Sequence, residues 1–190
     1  MSDSPPPQLS IIIPLGPGET EQKYLLTDLA NSGLHSEIIQ SSEQTRASSL
    51  NAGAKQAKGQ WLWFLHADSR VSQDNLRALK TSRDQDPHST ALHYFDLGFK
   101  HSGHLLSANA LGANIRSRLL GCPYGEDLLF VWRAHRATVP MQRIPSTLFT
   151  SGRKYHNQGW LKVTLMNQWY WLRLSLPQMF KLVSQRWRRS

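Results

Sequence analysis

Short apolar runs alternate with amphipathic stretches along the first half of the chain. The strongest runs are Leu9–Leu15 and Trp61–Leu65, and a weaker one covers Glu37–Gln40. Between them, Glu19–Asn31 and Thr45–Lys58 carry apolar or small residues at helical spacing. Parallel strands need long crossover connections, which helices usually provide. This order of strand, helix, strand, helix and strand therefore predicts an α/β fold with a mostly parallel, Rossmann-like sheet flanked by helices.

The periodic pattern of apolar residues continues to about residue 150. It predicts helices at Gln73–Ser82, at His104–Leu120 and from Tyr124 to about Ala137, and strands at Thr90–Phe99, Val139–Ile144 and Thr147–Phe149. No internal repeat or linker interrupts this order. We therefore expect a single domain over residues 9–155, preceded by a flexible N-terminus at residues 1–8.

The C-terminal segment, residues 156–190, alternates apolar and basic residues. Trp160–Arg189 follows a helical period that we expect to break at Pro177. Its longest charge-free run, Val163–Leu172, is far shorter than the about 20 residues that a membrane span needs. Two interpretations stay open: basic amphipathic helices that lie on an anionic membrane surface, or helices that cover the sheet with aromatic residues in the core.

Composition narrows the class of protein. The 190 residues are 39% hydrophobic and 18% charged, which is typical of a folded domain and excludes a disordered chain. A single cysteine, Cys122, excludes an internal disulfide framework. Met1–Gln8 is polar and proline-rich and lacks the basic and apolar regions of a signal peptide, so we expect a cytoplasmic protein.

The charge is distributed unevenly. All 13 acidic residues lie at or before Asp127, whereas the remaining 63 residues hold 11 of the 22 lysines and arginines. This asymmetry indicates an anionic partner, such as a phosphate-bearing substrate, a lipid headgroup or nucleic acid. A solubilising surface would give the same pattern.

Three sets of side chains are candidates for chemistry. Asp68 follows an apolar strand, and ligands of open α/β folds bind at that edge of the sheet, where a carboxylate can hold a divalent cation against a diphosphate. Glu126 and Asp127 begin a predicted helix, where one carboxylate could act as a general base. Arg46 and Asn51 belong to a helix in which an arginine could bind phosphate oxygens. The alternative role of Asp68 is to cap the following turn, and that of Glu126 and Asp127 is to complement the helix dipole. Arg46 and Asn51 could instead belong to an ordinary exposed helix.

Together these segments resemble one family. SIIIP at Ser10–Pro14 and RASSLNAGAKQAKGQWLWFLHADS at Arg46–Ser69 are similar to the donor half of a family 2 glycosyltransferase. FDLGF at Phe95–Phe99, IRSRLLG at Ile115–Gly121 and TSGRKY at Thr150–Tyr155 resemble a bacterial branch labelled arsenosugar-type family 2 glycosyltransferases.

The resemblance implies a GT-A fold, a nucleotide-diphosphate sugar donor, an acceptor that it does not name, and a divalent metal, Mn²⁺ or Mg²⁺. It assigns the donor site to Pro14, Glu19, Arg46, Asn51, His66, Asp68 and Ser69. Asp68 would be the metal ligand, and Asp127, next to Glu126, would be the base of an inverting displacement. Arg153 and Lys154 would add positive charge near the phosphates or an anionic acceptor.

The chain departs from the family pattern in three places. Pro14 leads into Gly16 and Glu19 instead of an Asn-Glu pair, and Gln40, Ser41 and Ser42 stand where the family usually has an acidic motif at the end of the second strand. The segment before Glu126 and Asp127 is short. A catalytically degenerate relative that binds nucleotide, nucleic acid or an anionic membrane is therefore the alternative function. Nucleic acid is the less favoured partner, because no nucleic-acid-reading motif is present.

Overall fold

The computed structural model describes residues 7–100, 103–120 and 137–187. These residues form an α/β structure of five strands and six helices. The strands are β1 (Leu9–Pro14), β2 (Ser36–Ser41), β3 (Trp61–Phe64), β4 (Leu92–Phe99) and β5 (Met141–Thr150). The helices are α1 (Gln22–Ala30), α2 (Arg46–Gln56), α3 (Gln73–Gln85), α4 (His104–Leu120), α5 (Arg153–Gln158) and α6 (Trp160–Trp187). The chain divides into two compact units, residues 1–77 and 78–190.

The first unit is built on a parallel sheet in the order β2-β1-β3. Leu9 of β1 pairs with Ser36 of β2 and with Trp61 of β3, and the registers continue to the strand ends. All six residues of β1 are buried. This explains the continuous apolar run of β1, because a central parallel strand contacts apolar neighbours on both faces.

Helix α2 packs against β1 and β2. The Thr45 hydroxyl accepts the Ser48 N–H at 3.1 Å and the Ser48 hydroxyl accepts the Thr45 N–H at 3.0 Å, which is a capping box that fixes where the helix begins. A Cβ on Gly53 would lie 2.5 Å from Cγ2 of Ile12. Glycine at this position therefore allows the close approach of α2 to the central strand.

A carboxylate fixes the connection between α2 and β3. Glu37 Oε1 accepts the Ser10 hydroxyl at 2.6 Å, the Lys58 N–H at 2.6 Å and the Gly59 N–H at 3.2 Å. These three bonds, that from Ser10 foremost, lower the pKa of the Glu37 carboxyl below its usual value. Gly59 lies so close to the Ser10 backbone that a Cβ would be 2.6 Å from the Ser10 nitrogen. The turn before β3 is thus held against β1 and β2.

The second unit contains β4 and β5, which pair in parallel, with α4 packed on β4. A bulge shifts the register between Phe95, which pairs with Ile144, and Asp96, which pairs with Thr147. The core of the second unit includes Phe99, Leu106, Ala110, Tyr155 and Val163. The Phe99 and Tyr155 rings meet edge to face with centroids 5.4 Å apart.

A buried carboxylate lies beside the bulge. Asp96 is 4% exposed and accepts hydrogen bonds from Arg118 at 2.7 Å and from Nη2 of Arg143 at 2.5 Å. Burial raises the pKa of the Asp96 carboxyl, but the bonds from Arg143 and Arg118 outweigh burial, so the pKa falls below its usual value. These contacts tie α4 and β5 to β4.

Two sequence expectations for the second unit are wrong. The two strands expected at Val139–Ile144 and Thr147–Phe149 are one strand, β5, which begins at Met141, because the bulge leaves the intervening Pro145 and Ser146 outside the ladder pairing. The helix that was expected to break at Pro177 runs through it as α6. Ser175 is fully buried just before the proline, so packing offsets the lost backbone hydrogen bond.

Other elements follow the sequence pattern closely. Strand β2 is longer than expected, at Ser36–Ser41, and the short helix α5 has no counterpart in the prediction. The helix expected from Tyr124 to Ala137, with Cys122 before it, lies outside the described residues. Within the part of the chain that the structure describes, no helix has the length and apolar character needed to cross a membrane.

Candidate functional site

The carboxyl ends of the three strands in the first unit define the candidate site. The Leu15 N–H donates to the Ser41 carbonyl at 2.8 Å, and the Leu65 N–H donates to the Ile12 carbonyl at 3.0 Å. These bonds continue the strand pairing beyond β1 and β3. Pro14, Ser41 and Leu65 therefore stand side by side where the strands end, and the segments that follow leave the sheet at one edge.

Arg46 and His66 meet at this edge. Arg46 is the first residue of α2, and His66 comes two residues after β3. Nη2 of Arg46 lies within hydrogen-bonding distance of the ring nitrogens of His66. The contact brings the N-terminal end of α2, which carries no acid in its first turn, to the turn that follows β3. A helix N-terminus with an arginine beside it favours an anion.

The turn after β3 holds the other predicted donor residues. The Ser69 N–H donates to the His66 carbonyl at 3.0 Å, and Ser69 is buried. Asp68 lies between these two residues and is half-buried. A carboxylate in that position is accessible to a ligand and is held within a short hydrogen-bonded turn. The structure thus brings Arg46, His66, Asp68 and Ser69 to one edge of the sheet.

The three remaining predicted donor residues lie outside this turn. Pro14 ends β1 and is buried at the same edge. Glu19 accepts the N–H groups of Thr20 at 3.0 Å and Glu21 at 2.9 Å, just before α1 begins, which is a structural contact. Asn51 is exposed on α2.

The residues predicted for the acceptor side belong to the second unit. Arg153 and Lys154 are exposed at the start of α5. Glu126 and Asp127 lie outside the described residues. Their assigned roles therefore stay predictions from the resemblance.

Asp68 fits a metal ion that arrives with a diphosphate. Among the residues that the structure describes, no three His, Cys, Asp or Glu side chains are grouped so that they could hold an ion. Mg²⁺ and Mn²⁺ are commonly bound by one or two carboxylates together with substrate phosphates. Asp68, half-buried at the sheet edge, can supply one such carboxylate.

The sequence did not predict a cavity in the second unit. It has a volume of about 260 Å³ and lies among β4, α4, α5 and α6. Its polar wall consists of Asn109, Arg116, Tyr155, Thr164, Asn167 and Gln168. Asn109 donates to the Thr164 hydroxyl at 2.9 Å, and Asn167 donates to the Tyr155 hydroxyl at 3.1 Å. The signal in the sequence that could have indicated this cavity was the seven-residue spacing of Asn109 and Arg116 on one helix.

Comparisons with known proteins identify a family and a similar fold. The sequence profile described as "Glycosyl transferase family 2" matches residues 20–120, just over half of the chain. The structure is similar to the crystal structure of S. aureus TarS 1-349, with a TM-score of 0.53 and 14% sequence identity. The match covers 76% of this chain and 60% of the TarS chain. No curated protein matches the sequence.

The structural match confirms the predicted α/β fold of GT-A type. The family profile includes α2, β3 and the turn after β3, the elements that build the candidate site, and it confirms the resemblance at the level of the family. The resemblance to the arsenosugar-type branch stays a prediction. The chain belongs to glycosyl transferase family 2.

Proposed function

We propose that the protein transfers a sugar from a nucleotide-diphosphate donor to an acceptor hydroxyl, with a divalent metal and with inversion at the anomeric carbon. The observation that carries the proposal is the contact of Arg46 with His66 at the carboxyl edge of the sheet. This contact brings together the Arg46 cation, the N-terminus of α2 and the turn that contains Asp68, in a chain that belongs to family 2.

Arg46 would bind the diphosphate. A guanidinium forms paired hydrogen bonds to phosphate oxygens, and the positive end of α2 favours the same charge. His66 would orient the guanidinium, because its ring occupies one side of Arg46. Pro14 and Ser69 would shape the floor of the site, since both are buried at the sheet edge.

Asp68 would hold Mn²⁺ or Mg²⁺ together with the donor phosphates. A metal bound there would stabilise the negative charge that develops on the departing diphosphate. The half-buried carboxylate is the only protein group that we assign to the ion, so we expect metal binding to depend on the nucleotide.

The displacement needs a base. The acceptor oxygen bonds to the anomeric carbon while the bond from that carbon to the diphosphate oxygen breaks, and the electron pair leaves with the nucleoside diphosphate. Asp127, the position that matches the family's Glu-Asp motif, would take the acceptor proton. Glu126 beside it would complement the start of the following helix, and Arg153 and Lys154 would attract an anionic acceptor.

The nucleoside is the part of the donor that we expect the protein to select least strictly. Strand β2 ends at Ser41 with Ser42 after it, and the nearest acid, the exposed Glu43, comes only after these two serines. The family's usual carboxylate for the nucleoside is therefore absent from this position. We expect the site to accept more than one base and to derive its affinity mainly from the diphosphate.

We place the reaction at the cytoplasmic face of a membrane. The basic charge of the C-terminal residues, which contain no acid after Asp127, supports this setting because inner leaflets carry anionic lipids.

The test is transfer or hydrolysis of nucleotide sugars by the wild type and by Asp127→Asn. We expect Asp127→Asn to bind a nucleoside diphosphate as the wild type does and to lose turnover, because an amide cannot accept the proton. Full turnover in this variant would overturn the assignment of the base. Nucleotide binding without turnover in the wild type, over a panel of donors and acceptors, would establish the degenerate alternative.

A further inference from the structure

Helix α6 presents apolar side chains on two opposite sides. One side packs into the second unit, where Val163 and Ser175 are fully buried. The other side carries large apolar residues at steps of three and four along the helix, which places them on one stripe. This α6 stripe consists of Leu161, Leu165, Trp169, Leu172, Leu176 and Phe180.

Every member of the α6 stripe is exposed. Trp169 is 63% exposed and Phe180 is 73% exposed, and the four leucines are also exposed. Monomeric proteins rarely leave so long an apolar row in water, and such rows mark interaction sites. The buried side of α6 already provides its packing in the unit, so the fold of α6 does not require the stripe.

Basic residues accompany the stripe. Lys162 and Arg173 are exposed, and both lie on the flank of the stripe that Trp169 and Phe180 also border. Lys181 follows near the end of the helix. No acid occurs anywhere after Asp127, so the helix has no negative charge of its own. A helix with Trp, Phe and Leu on one side and Lys and Arg next to them has the composition of an interfacial membrane helix.

We propose that the α6 stripe inserts into the headgroup and acyl boundary of an anionic bilayer, with α6 lying parallel to the membrane surface. The stripe provides apolar burial, and Lys162 and Arg173 provide attraction to anionic headgroups. A polyanion such as nucleic acid would match the charge but would leave the leucines and Phe180 in water. The inference rests on the membrane setting proposed above. It identifies the α6 stripe as the surface that contacts the membrane.

The experiment is co-sedimentation of the full chain with vesicles. We compare phosphatidylcholine alone with an equal mixture of phosphatidylcholine and phosphatidylglycerol. The wild type is expected to bind the mixed vesicles and to bind the neutral vesicles much more weakly. The triple variant L165S/W169S/F180S is expected to lose about tenfold or more in affinity, because it removes three of the six apolar side chains that would be buried in the bilayer.

A control removes three exposed apolar side chains from another helix. Leu111, Ile115 and Leu119 form an exposed row on α4. The triple variant L111S/I115S/L119S is expected to bind the mixed vesicles as the wild type does. Thermal midpoints of both variants check folding. If the triple variant of α6 does not fold, Trp169→Phe serves instead: it should keep binding and lose most of the blue shift of tryptophan emission on vesicles.

Three results would overturn the inference. Equal vesicle binding by the wild type and L165S/W169S/F180S would leave charge alone as the membrane contact. Absence of wild-type binding to mixed vesicles would remove the membrane setting as well. A wild-type dimer in sedimentation, converted to a monomer by L165S/W169S/F180S without any vesicle binding, would assign the stripe to a second copy of the chain. Donor binding, measured with a nucleoside diphosphate in the absence of lipid, reports on the transferase proposal separately.

Discussion

The guanidinium of Arg46, at the first residue of α2, contacts the imidazole of His66, two residues after the end of β3. The two residues are 20 positions apart in the sequence and belong to different elements. The contact joins a helix N-terminus to the turn that contains Asp68. It therefore places the arginine beside the turn to which we assign the donor diphosphate and its metal.

Arg46→Ala should weaken binding of a nucleoside diphosphate by about tenfold or more, because hydrogen bonds to charged groups contribute about 1.5–3 kcal/mol. Arg46→Lys should recover only part of the affinity, since an ammonium cannot form the paired bonds of a guanidinium. Calorimetric titration with UDP and with GDP measures the effect. The control is Arg77→Ala, which removes an exposed arginine paired with Asp74 in the same unit. Equal affinities in Arg46→Ala and Arg77→Ala would contradict the role of Arg46.

Gly53→Ala should destabilise the protein by about 1–3 kcal/mol, because the added Cβ would meet the Ile12 side chain at 2.5 Å. It should also weaken nucleotide binding, since α2 carries Arg46. Gly112→Ala, at a helical glycine with open space around the Cβ position, should be neutral or stabilising by up to about 1 kcal/mol. Urea unfolding of the two variants compares them directly. A Gly53→Ala protein as stable as Gly112→Ala would show that α2 does not depend on this close approach.

Asp96→Asn should destabilise the protein by about 1–3 kcal/mol, because it leaves Arg118 and Arg143 without their buried carboxylate. The value is below that of a fully buried pair because both arginines are partly exposed. Arg143→Ala should be more destabilising than Arg118→Ala, since Arg143 donates to Asp96 through both Nε and Nη2. Chemical unfolding of the three variants tests this order. The reverse order for the arginines would contradict the structure of the cluster.

The Glu37 carboxylate should contribute to the acid dependence of stability. Its pKa is lowered in the folded state, so its contribution is present above the usual value of 4.5 and is lost as the pH falls below it. Glu37→Gln should therefore reduce the drop in unfolding midpoint as the pH is lowered from about 5 to about 3, the range in which this contribution is lost. Glu43→Gln, at an exposed acid in the same unit, provides the comparison. An unchanged drop in Glu37→Gln would show that the bonds to Ser10 and Lys58 do not persist in solution.

The sequence predicted the first unit well because its signals are local. A continuous apolar run identified the central strand β1, whereas the close approaches that require glycine at positions 53 and 59 became visible only in the structure. The contact of Arg46 with His66 could not be predicted, because it depends on the register of β3 against β1 and on the approach of α2. The two residues were identified separately, Arg46 from its place in a predicted helix and His66 through the family resemblance.

The second unit was harder to predict because its decisive features depend on tertiary packing. Pro145 and Pro177 both indicate breaks by local rules, yet a bulge accommodates the first and the buried side of α6 offsets the second. The bonds from Arg118 and Arg143 to Asp96 join residues 22 and 47 positions apart. Nothing in the spacing of these residues indicated that they meet.

The most direct test of the proposed transferase site is thermal unfolding with UDP and with GDP, each with and without Mn²⁺. A ligand at a hundredfold excess over its dissociation constant stabilises the native state by about 2.7 kcal/mol, so a clear rise in midpoint is expected for the wild type with metal and nucleotide together. Asp68→Ala should lose the metal-dependent part of the rise, and Asp74→Ala, which removes an exposed acid of the same unit, should keep it. A metal-dependent rise that persists in Asp68→Ala, or no rise with either nucleotide in the wild type, would contradict the proposed donor site.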